Sequence, residues 1–419
     1  MLDTLLLDPV RILLGPGLAL QQGAALIEQG ILSGFDDEAR ERGSQLGLTS
    51  TPAEDLLLAP CLVDAHSQLP NPVSGPAETL SSLRRCAAAA GYGQVALLPA
   101  ADSWRDRPER LFGLQGNDSS QVHVTLWGSF SLEGLGEQLA PHGDLLEHGA
   151  VGLADDDRIL PLPLLERGLG LGEMGSAPVL LAARDPALQG DGMVREGIET
   201  LRAGWNPDPI SSELLPLGQL LSLQDRHPER QIRLMNLSTV AAVQTLQQSS
   251  CAPQASVCWW HLLKHRCNLG ASDPGWRVRP SLGGPRDCAG LREAVRNGLI
   301  QAIAVHATPL DAEDMLLPLD QRPPGLSGHH LVLPALWSAL VRDGDFSPEQ
   351  LWQGLSFGPS AFLERPAESL TIGSRRWLLF DPDHQWIVRR DDPAAPAASN
   401  LPMVGETMQG RVIACGLSR

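Results

Sequence analysis

The chain has 419 residues, of which 43% are hydrophobic and 19% are charged, a composition typical of a globular protein with a sizeable core. It contains 32 basic and 49 acidic residues, and the resulting net charge of −17 is unfavourable for binding nucleic acid or anionic lipid. Lys264 is the only lysine, so any chemistry that requires an amine side chain would depend on that position.

Seven cysteines are spread along the chain, which is unlike the dense pattern of small secreted proteins and predicts reduced thiols. The N-terminal residues include Asp3 and Asp8, where a secretory signal would be basic. No apolar run approaches the ~18 uninterrupted residues that predict a transmembrane helix. We therefore expect a cytoplasmic protein that does not bind membranes.

Short apolar runs alternate with amphipathic stretches through the middle of the chain, as parallel βα units do. Eight of these runs are almost continuously apolar, which is typical of strands buried on both faces. They are residues 56–63, 94–98, 122–127, 150–153, 178–182, 232–237, 256–260 and 300–305. Predicted helices include residues 78–90, 240–248, 286–297, 329–341 and 348–355. Eight such units predict an α/β protein with a (βα)8 TIM barrel over residues 56–365.

The two ends of the chain do not continue this alternation. Residues 1–55 and 366–419 hold short apolar runs broken by glycine and proline, and we expect them to form one small β-sandwich domain built from both termini. Residues 391–402, rich in aspartate, alanine and proline, are predicted to be a loop.

One segment carries a recognisable motif. Residues 59–69 read Ala-Pro-Cys-Leu-Val-Asp-Ala-His-Ser-Gln-Leu, similar to the P-G-[LI]-[IV]-D-x-H-x-H motif that closes the first barrel strand of the amidohydrolase superfamily. Further similar segments are 88–99, 149–156, 236–239, 301–310, 324–334 and 399–412. On these segments the chain resembles the dihydroorotase family, and the resemblance covers nearly the whole chain in one order.

The resemblance implies a metal site, with ligands from strands one, four, five, six and eight. His66 matches the first histidine, and Asp155 matches the carboxylate of strand four. Four other positions differ from the family pattern: Gln68 replaces the second histidine, Ala182 the histidine of strand five, Asn236 that of strand six, and His306 the catalytic aspartate of strand eight.

The family's substrate clamp is also altered. Pro70 stands where the family has an arginine that holds the substrate carboxylate, and Ala100 where it has an assisting asparagine. A proline offers no cation or N–H donor to an anion. We therefore expect a catalytically inactive, dihydroorotase-like protein that acts as a scaffold or regulatory partner in pyrimidine biosynthesis.

The expected partner also follows from the resemblance, because some bacteria pair aspartate transcarbamoylase with an inactive dihydroorotase-like chain. A second copy of this chain is the other expected partner. The alternative is a mononuclear-metal hydrolase of a cyclic amide, in which His66, Asp155 and His306 meet at the barrel mouth. Two histidines and a carboxylate are a recognised set for one transition metal such as zinc. We favour the protein without a metal.

Several polar groups have simpler interpretations. The run at residues 155–157 also fits a solvated loop at a helix N-terminus. His329 and His330 are expected at the surface or in loop packing, and Trp259 and Trp260 in the core. The group formed by Cys258, His261, His265 and Cys267 has the residue types of a zinc site, but its spacing matches no finger pattern, so we expect a buried cysteine followed by loop histidines.

Overall fold

The computed structural model describes residues 4–102, 104–114, 120–268, 270 and 273–418. Within these ranges the strands are β1 (Leu5–Ile12), β2 (Gln21–Glu28), β3 (Ile31–Phe35), β4 (Thr51–Pro60), β5 (Leu62–Ser67), β6 (Tyr92–Leu97), β7 (His123–Leu126), β8 (Gly128–Ser129), β9 (Leu153–Ala154), β10 (Pro178–Ala182), β11 (Val194–Arg195), β12 (Pro207–Asp208), β13 (Gln231–Met235), β14 (Gln254–Cys258), β15 (Ala302–Ala304), β16 (Trp377–Ile387) and β17 (Thr407–Cys415).

The α-helices in the same ranges are α1 (Asp36–Gln45), α2 (Leu80–Ala89), α3 (His142–Glu147), α4 (Leu162–Leu171), α5 (Pro186–Gln189), α6 (Ile198–Arg202), α7 (Ser211–Arg226), α8 (Val240–Gln247), α9 (Pro285–Arg296), α10 (Ala312–Leu316), α11 (His329–Leu336), α12 (Pro348–Trp352) and α13 (Gly358–Phe362). Helices α11 and α12 continue as π-helical turns over Trp337–Arg342 and Gln353–Phe357. Among the described residues, no helix is long and apolar enough to cross a membrane.

Parallel strands close into a barrel. One sheet has the order β5-β6-β7, and another has the order β15-β14-β13-β10-β9-β8. Only Trp127 separates β7 from β8, and its backbone N–H donates to the carbonyl of Leu97, so the two pieces act as one interrupted barrel strand. On the other side, the N–H of His306 donates to the carbonyl of His66 at 3.1 Å. The predicted (βα)8 barrel is confirmed, with its first strand at β5 and its eighth at β15.

The two termini share a second, six-stranded sheet with the order β17-β16-β4-β1-β2-β3. Strand β16 lies between β4 and β17, and Leu378 pairs with both Ala59 and Cys415. The small β domain built from both termini is therefore present in the fold. The apolar run 56–63 is divided between the two sheets, because β4 ends in the terminal sheet at Pro60 and β5 enters the barrel at Leu62.

The barrel interior is filled by apolar side chains from seven of its strands. The cluster consists mainly of small residues, with two large aromatic side chains, those of Trp127 and Phe362. Trp127 is fully buried, and its indole N–H donates to the carbonyl of Ala65 at 3.0 Å, so it bridges the third strand and the first. Phe362, from α13, belongs to the same cluster. A barrel lined by alanines thus depends on a few aromatic rings for its packing.

Candidate active site at the barrel mouth

The residues that matched family positions lie at the C-terminal ends of the barrel strands, the end where such barrels carry their sites. His66 lies in β5, followed by Gln68; Ala182 ends β10; and Asp155, Asn236 and His306 follow β9, β13 and β15. Asn236 and His306 have positive φ angles of 50° and 48°. These backbone turns occur directly after their strands, where the chain leaves the barrel wall.

His66 and His306 are brought together. Their Nδ1 atoms are 3.1 Å apart, and His66 Nε2 lies 2.8 Å from the hydroxyl of Ser256. His66 is fully buried, and burial, followed by the proximity of His306, lowers its pKa well below the usual range. Burial is also the main cause that lowers the pKa of His306, against the opposing influence of Asp157 and Asp64. In such a neutral pair one Nδ1 donates and the other accepts, so both nitrogens of His66 are engaged.

Asp155 is directed towards the end of the third strand. Its Oδ1 accepts from the Ser129 hydroxyl at 2.7 Å and from the backbone N–H groups of Phe130 and Ser131 at 2.8 and 3.1 Å, while Oδ2 accepts from the Ser131 hydroxyl. Burial raises the pKa of Asp155 to about 6, although these hydrogen bonds oppose the change. The structure thus gives Asp155 the role of organising a loop.

An ion cluster of the buried Asp157 and Arg184 with the partly exposed Arg279 lies beside His306. Asp157 Oδ1 lies 2.9 Å from Arg184 Nη2 and 3.6 Å from Arg279 Nη1. Burial by itself would raise the pKa of Asp157, but Arg184, Arg279 and His306 outweigh it and lower the pKa to about 2. The interpretation of residues 155–157 as a solvated loop is wrong, because Asp155 and Asp157 are both buried and satisfied by protein donors.

Little space remains between this cluster and the histidine pair. A cavity of about 30 Å³ is lined by residues that include Gln68, Asp157, Cys258, Arg279 and His306. This volume accommodates about one or two water molecules. Sites for small organic ligands typically have ~300–1,000 Å³.

The remaining family-derived positions offer few groups to a metal or substrate. Ala182 packs in the apolar cluster with Trp127. Asn236 is 5% exposed, and its side-chain amide has no hydrogen-bond partner in the described part of the chain. Pro70 is exposed and Ala100 is half-buried. Neither position supplies a cation.

The donor arrangement does not fit a metal ion. A zinc site needs about three or four ligands converging at ~2.0–2.3 Å. Among the described residues, no group of three or more His, Cys, Asp and Glu side chains is placed to hold one. His66 and His306 are in contact, but Asp155 is not grouped with them. The three-ligand site of His66, Asp155 and His306 is therefore not assembled in this arrangement, and it remains a prediction.

Asp64, the carboxylate of the first-strand motif, joins three elements. It is fully buried; its Oδ1 accepts from the N–H of Val305 at 3.0 Å, and its Oδ2 accepts from the Ser67 hydroxyl and lies 3.1 Å from His329 Nε2. Sequence reasoning missed this role, although the position of Asp64 two residues before His66 was a signal. His329 and His330 open α11, as the predicted helix at 329–341 implies, but the expectation that they lie at the surface or in loop packing is wrong, because they are 5% and 7% exposed.

The four side chains between Cys258 and Cys267 that have the residue types of a zinc site make separate contacts. The thiol of Cys258 is directed to the carbonyl of Val305, and His261 Nε2 contacts the carbonyl of Pro280 at 3.0 Å. His265 is half-buried and Cys267 is exposed. His261 is buried in the structure, and only the later residues match the expected loop. Trp259 and Trp260 are buried, as predicted.

Comparisons with known proteins give a consistent family. No protein-family model matches the chain. It is 34% identical over 399 residues to a probable dihydroorotase-like protein of Synechocystis sp., covering 87% of this chain and 88% of the relative. It is 26% identical over 417 residues to a dihydroorotase of Pelotomaculum thermopropionicum, covering 96% of each chain.

Solved structures agree on the fold. A D-hydantoinase superposes with a TM-score of 0.77 at 16% identity, covering 99% of this chain and 94% of that one. L-Hydantoinase from Arthrobacter aurescens superposes with a TM-score of 0.74 at 16% identity and the same coverage. At these identities the likeness concerns the fold alone.

Proposed function

Since this chain belongs to the dihydroorotase-like family of the amidohydrolase superfamily, we propose that it is a catalytically inactive member of that family. Its role in this proposal is that of a scaffold or regulatory partner in pyrimidine biosynthesis. The observation that carries the proposal is the contact between His66 and His306 beside a cavity of about 30 Å³.

The histidine contact argues against hydrolysis at this site. A hydrolase of this class needs a group that activates water and a base that moves its proton. The nitrogens of His66 are engaged by His306 and by Ser256, and both oxygens of Asp155 accept from residues 129–131. Turning these groups towards a metal would leave several buried polar atoms without partners, each at a cost of ~1–3 kcal/mol.

The space at the mouth argues in the same direction. A six-membered cyclic amide needs a pocket about ten times larger than the 30 Å³ beside His306. Enlarging it on the side of Asp157 would open the ion pair between Asp157 and Arg184, both of which are over 90% buried. Breaking a buried ion pair typically costs ~3–5 kcal/mol. The substrate carboxylate would then meet Pro70 and Ala100 instead of a cation and an amide.

An inactive chain that keeps the complete fold can still serve in an assembly. The barrel and the terminal sheet are both retained, so the outer surfaces remain ordered without a working site. We propose aspartate transcarbamoylase as the partner, with a second copy of this chain as the other candidate. The support for this partner is the membership of the dihydroorotase-like family.

The first test measures turnover of dihydroorotate and metal content on the same purified protein. We expect no turnover above background and far less than one equivalent of zinc, iron or manganese after dialysis. Variants His66→Ala and His306→Ala should then leave the metal content unchanged.

A contrary result would be near-stoichiometric metal lost in both histidine variants but retained in the matched control Asn236→Ala. Together with turnover, it would replace the proposal by a mononuclear hydrolase.

The second test addresses the partner. The purified chain is mixed with aspartate transcarbamoylase from the same organism and examined by analytical ultracentrifugation, with each protein alone as the control. We expect a species heavier than either protein alone, together with changed transcarbamoylase kinetics. Sedimentation of the two proteins as independent species would reject this partner, and a concentration-dependent oligomer of the chain alone would support self-assembly.

A further inference from the structure

A second pocket lies apart from the mouth, in the outer helical layer of the barrel. It has a volume of about 420 Å³ and is bordered by α9, by the π-helical turn that continues α11, and by residues 263–268 after β14. Among the described residues, it shares none of its lining with the cavity beside His306. Its volume lies within the ~300–1,000 Å³ that is typical of small-ligand sites. The pocket is therefore large enough for a small organic molecule.

Three side chains that line this pocket present hydrogen-bond donors. His265 Nδ1 accepts from the N–H of Cys267 at 3.3 Å, so the neutral ring carries its proton on Nε2. Asn268 Oδ1 accepts from the N–H of His265 at 2.9 Å, which leaves its Nδ2 group to donate. Arg292 donates from Nε to the carbonyl of Leu262 at 2.6 Å, which leaves its two terminal nitrogens to donate. Each local contact thus leaves N–H groups for a ligand that accepts hydrogen bonds.

The carboxylates of the pocket are paired with a different arginine. Arg296 Nη1 lies 3.3 Å from Asp345 Oδ2, and its Nη2 contacts Glu293. Within the described ranges, Arg292 has no carboxylate at ion-pairing distance, and it is only half-buried. The charge of Arg292 is therefore free to pair with an anion.

The segment that carries His265 is positively charged. Burial, followed by the charges of Arg266, Arg292 and Lys264, lowers the pKa of His265. Arg266 Nε lies 3.6 Å from Glu199 Oε2, so part of this charge is compensated. Lys264 is the single lysine of a chain with a net charge of −17, and it lies next to the pocket. An anion is attracted to this part of an otherwise acidic molecule.

Apolar side chains complete the wall of the pocket. They include Leu263, Leu340 and Phe346, and the last two are 2% and 7% exposed. A ligand that combines an anionic group with an apolar ring fits such a lining. A phosphate group matches the donors better than a carboxylate does, because it offers three terminal oxygens to three side chains and suits the planar fork of an arginine.

We propose that this pocket binds a small phosphate monoester that carries an apolar ring. Arg292, His265 and Asn268 donate to the phosphate oxygens, and the ring rests against Leu340 and Phe346. The proposal concerns binding outside the barrel mouth, so it does not depend on whether the mouth is catalytically inactive.

The test is isothermal titration calorimetry on the full chain with three probes: phenyl phosphate, inorganic phosphate and benzoate. We expect phenyl phosphate to bind most tightly, because it alone combines the three oxygens with an apolar ring. Arg292→Gln should weaken its binding ~10-fold or more, since a charge-assisted hydrogen bond is lost. The matched control Arg389→Gln removes an exposed arginine that does not line the pocket, and it should bind phenyl phosphate as the wild type does.

A second variant, His265→Ala, changes a half-buried loop residue and keeps the test decisive if Arg292→Gln does not fold. It should also weaken the binding of phenyl phosphate. The absence of binding by the wild type at millimolar phenyl phosphate would overturn the proposal, as would unchanged affinity in both variants. Benzoate binding as tightly as phenyl phosphate would overturn the assignment to a phosphate, and inorganic phosphate binding equally tightly would overturn the role of the apolar wall.

Discussion

At the scale of single residues, burial favours the neutral form of several histidines. Burial is the main cause that lowers the pKa of six described histidines, which are His66, His142, His261, His265, His306 and His330. A histidine whose pKa is lower in the folded state binds fewer protons there than in the unfolded chain at mildly acidic pH. The contribution of such a histidine to the free energy of unfolding is therefore complete above pH ~6.5, and it is lost as the pH falls towards the pKa of the folded state.

His330 provides the clearest test at this scale. Burial lowers its pKa to about 4, and neither ring nitrogen has a hydrogen-bond partner in the described part of the chain. As the pH falls from 7 to 5, protonation of this residue in the unfolded chain should lower the free energy of unfolding by about 2 kcal/mol. In His330→Leu this loss should disappear, with stability at pH 7 equal to or above that of the wild type. Urea denaturation at both pH values measures the effect.

The exposed His148 offers the control for this measurement. His148→Leu should keep the full decrease in stability between pH 7 and pH 5. An equal acid sensitivity in wild type and His330→Leu would show that folding does not lower the pKa of His330.

At the scale of elements, buried polar side chains connect strands and helices that are distant in sequence. Asp64 on β5 accepts from Val305 after β15 and contacts His329 at the start of α11, residues 241 and 265 positions away. The ring of His329 also packs edge-on against Tyr92 of β6 at a centroid distance of 5.1 Å. The aspartate of the motif therefore maintains the closure between the first and eighth strands.

Removal of this carboxylate should destabilise the barrel. In Asp64→Ala, the N–H of Val305 and the ring of His329 lose their acceptor in a buried environment, so we expect a loss of about 3 kcal/mol or more. Asp64→Asn retains one acceptor oxygen and should lose less. Chemical denaturation followed by tryptophan fluorescence measures both, with the surface variant Asp345→Ala as a control expected to change little. A wild-type denaturation midpoint in Asp64→Ala would refute the proposed role.

At the scale of the whole molecule, the C-terminal segment is tied back to the barrel mouth. The region predicted as a loop at 391–402 has no helix or strand, yet Asn400 within it is 1% exposed. Its Oδ1 accepts from the N–H of Leu310 and the hydroxyl of Ser327, both at 3.1 Å, and its Nδ2 donates to the carbonyl of Thr308 at 2.8 Å. One side chain thus fixes the segment that follows the eighth strand against the C-terminal part of the chain.

Loss of this connection should affect the stability of the whole protein. We expect Asn400→Ala to lower the unfolding free energy by about 2–4 kcal/mol, because three hydrogen bonds are broken and buried partners are left unsatisfied. Since the barrel and terminal sheet share an apolar core, unfolding should remain a single transition. Differential scanning calorimetry measures both properties, and the exposed Asn297→Ala is the control. Two separated transitions in the wild type would contradict this coupling.

The sequence by itself determined the barrel and predicted a candidate site at the C-terminal ends of its strands. Apolar runs with the period of buried strands, together with the motif around His66, were sufficient, because strand order and the C-terminal position of the site follow from local patterns. It also showed that Gln68, Ala182 and Asn236 depart from the family's ligand types, since these differences are differences of residue identity.

Only the tertiary structure decided what the remaining polar groups do. The pairing of His66 with His306, the attachment of Asp155 to the third-strand loop, and the burial of Asp157 with Arg184 depend on which side chains meet after the barrel closes. A one-dimensional pattern contains no distances between residues 240 positions apart, and the balance between burial and ion pairing that sets each pKa depends on those distances.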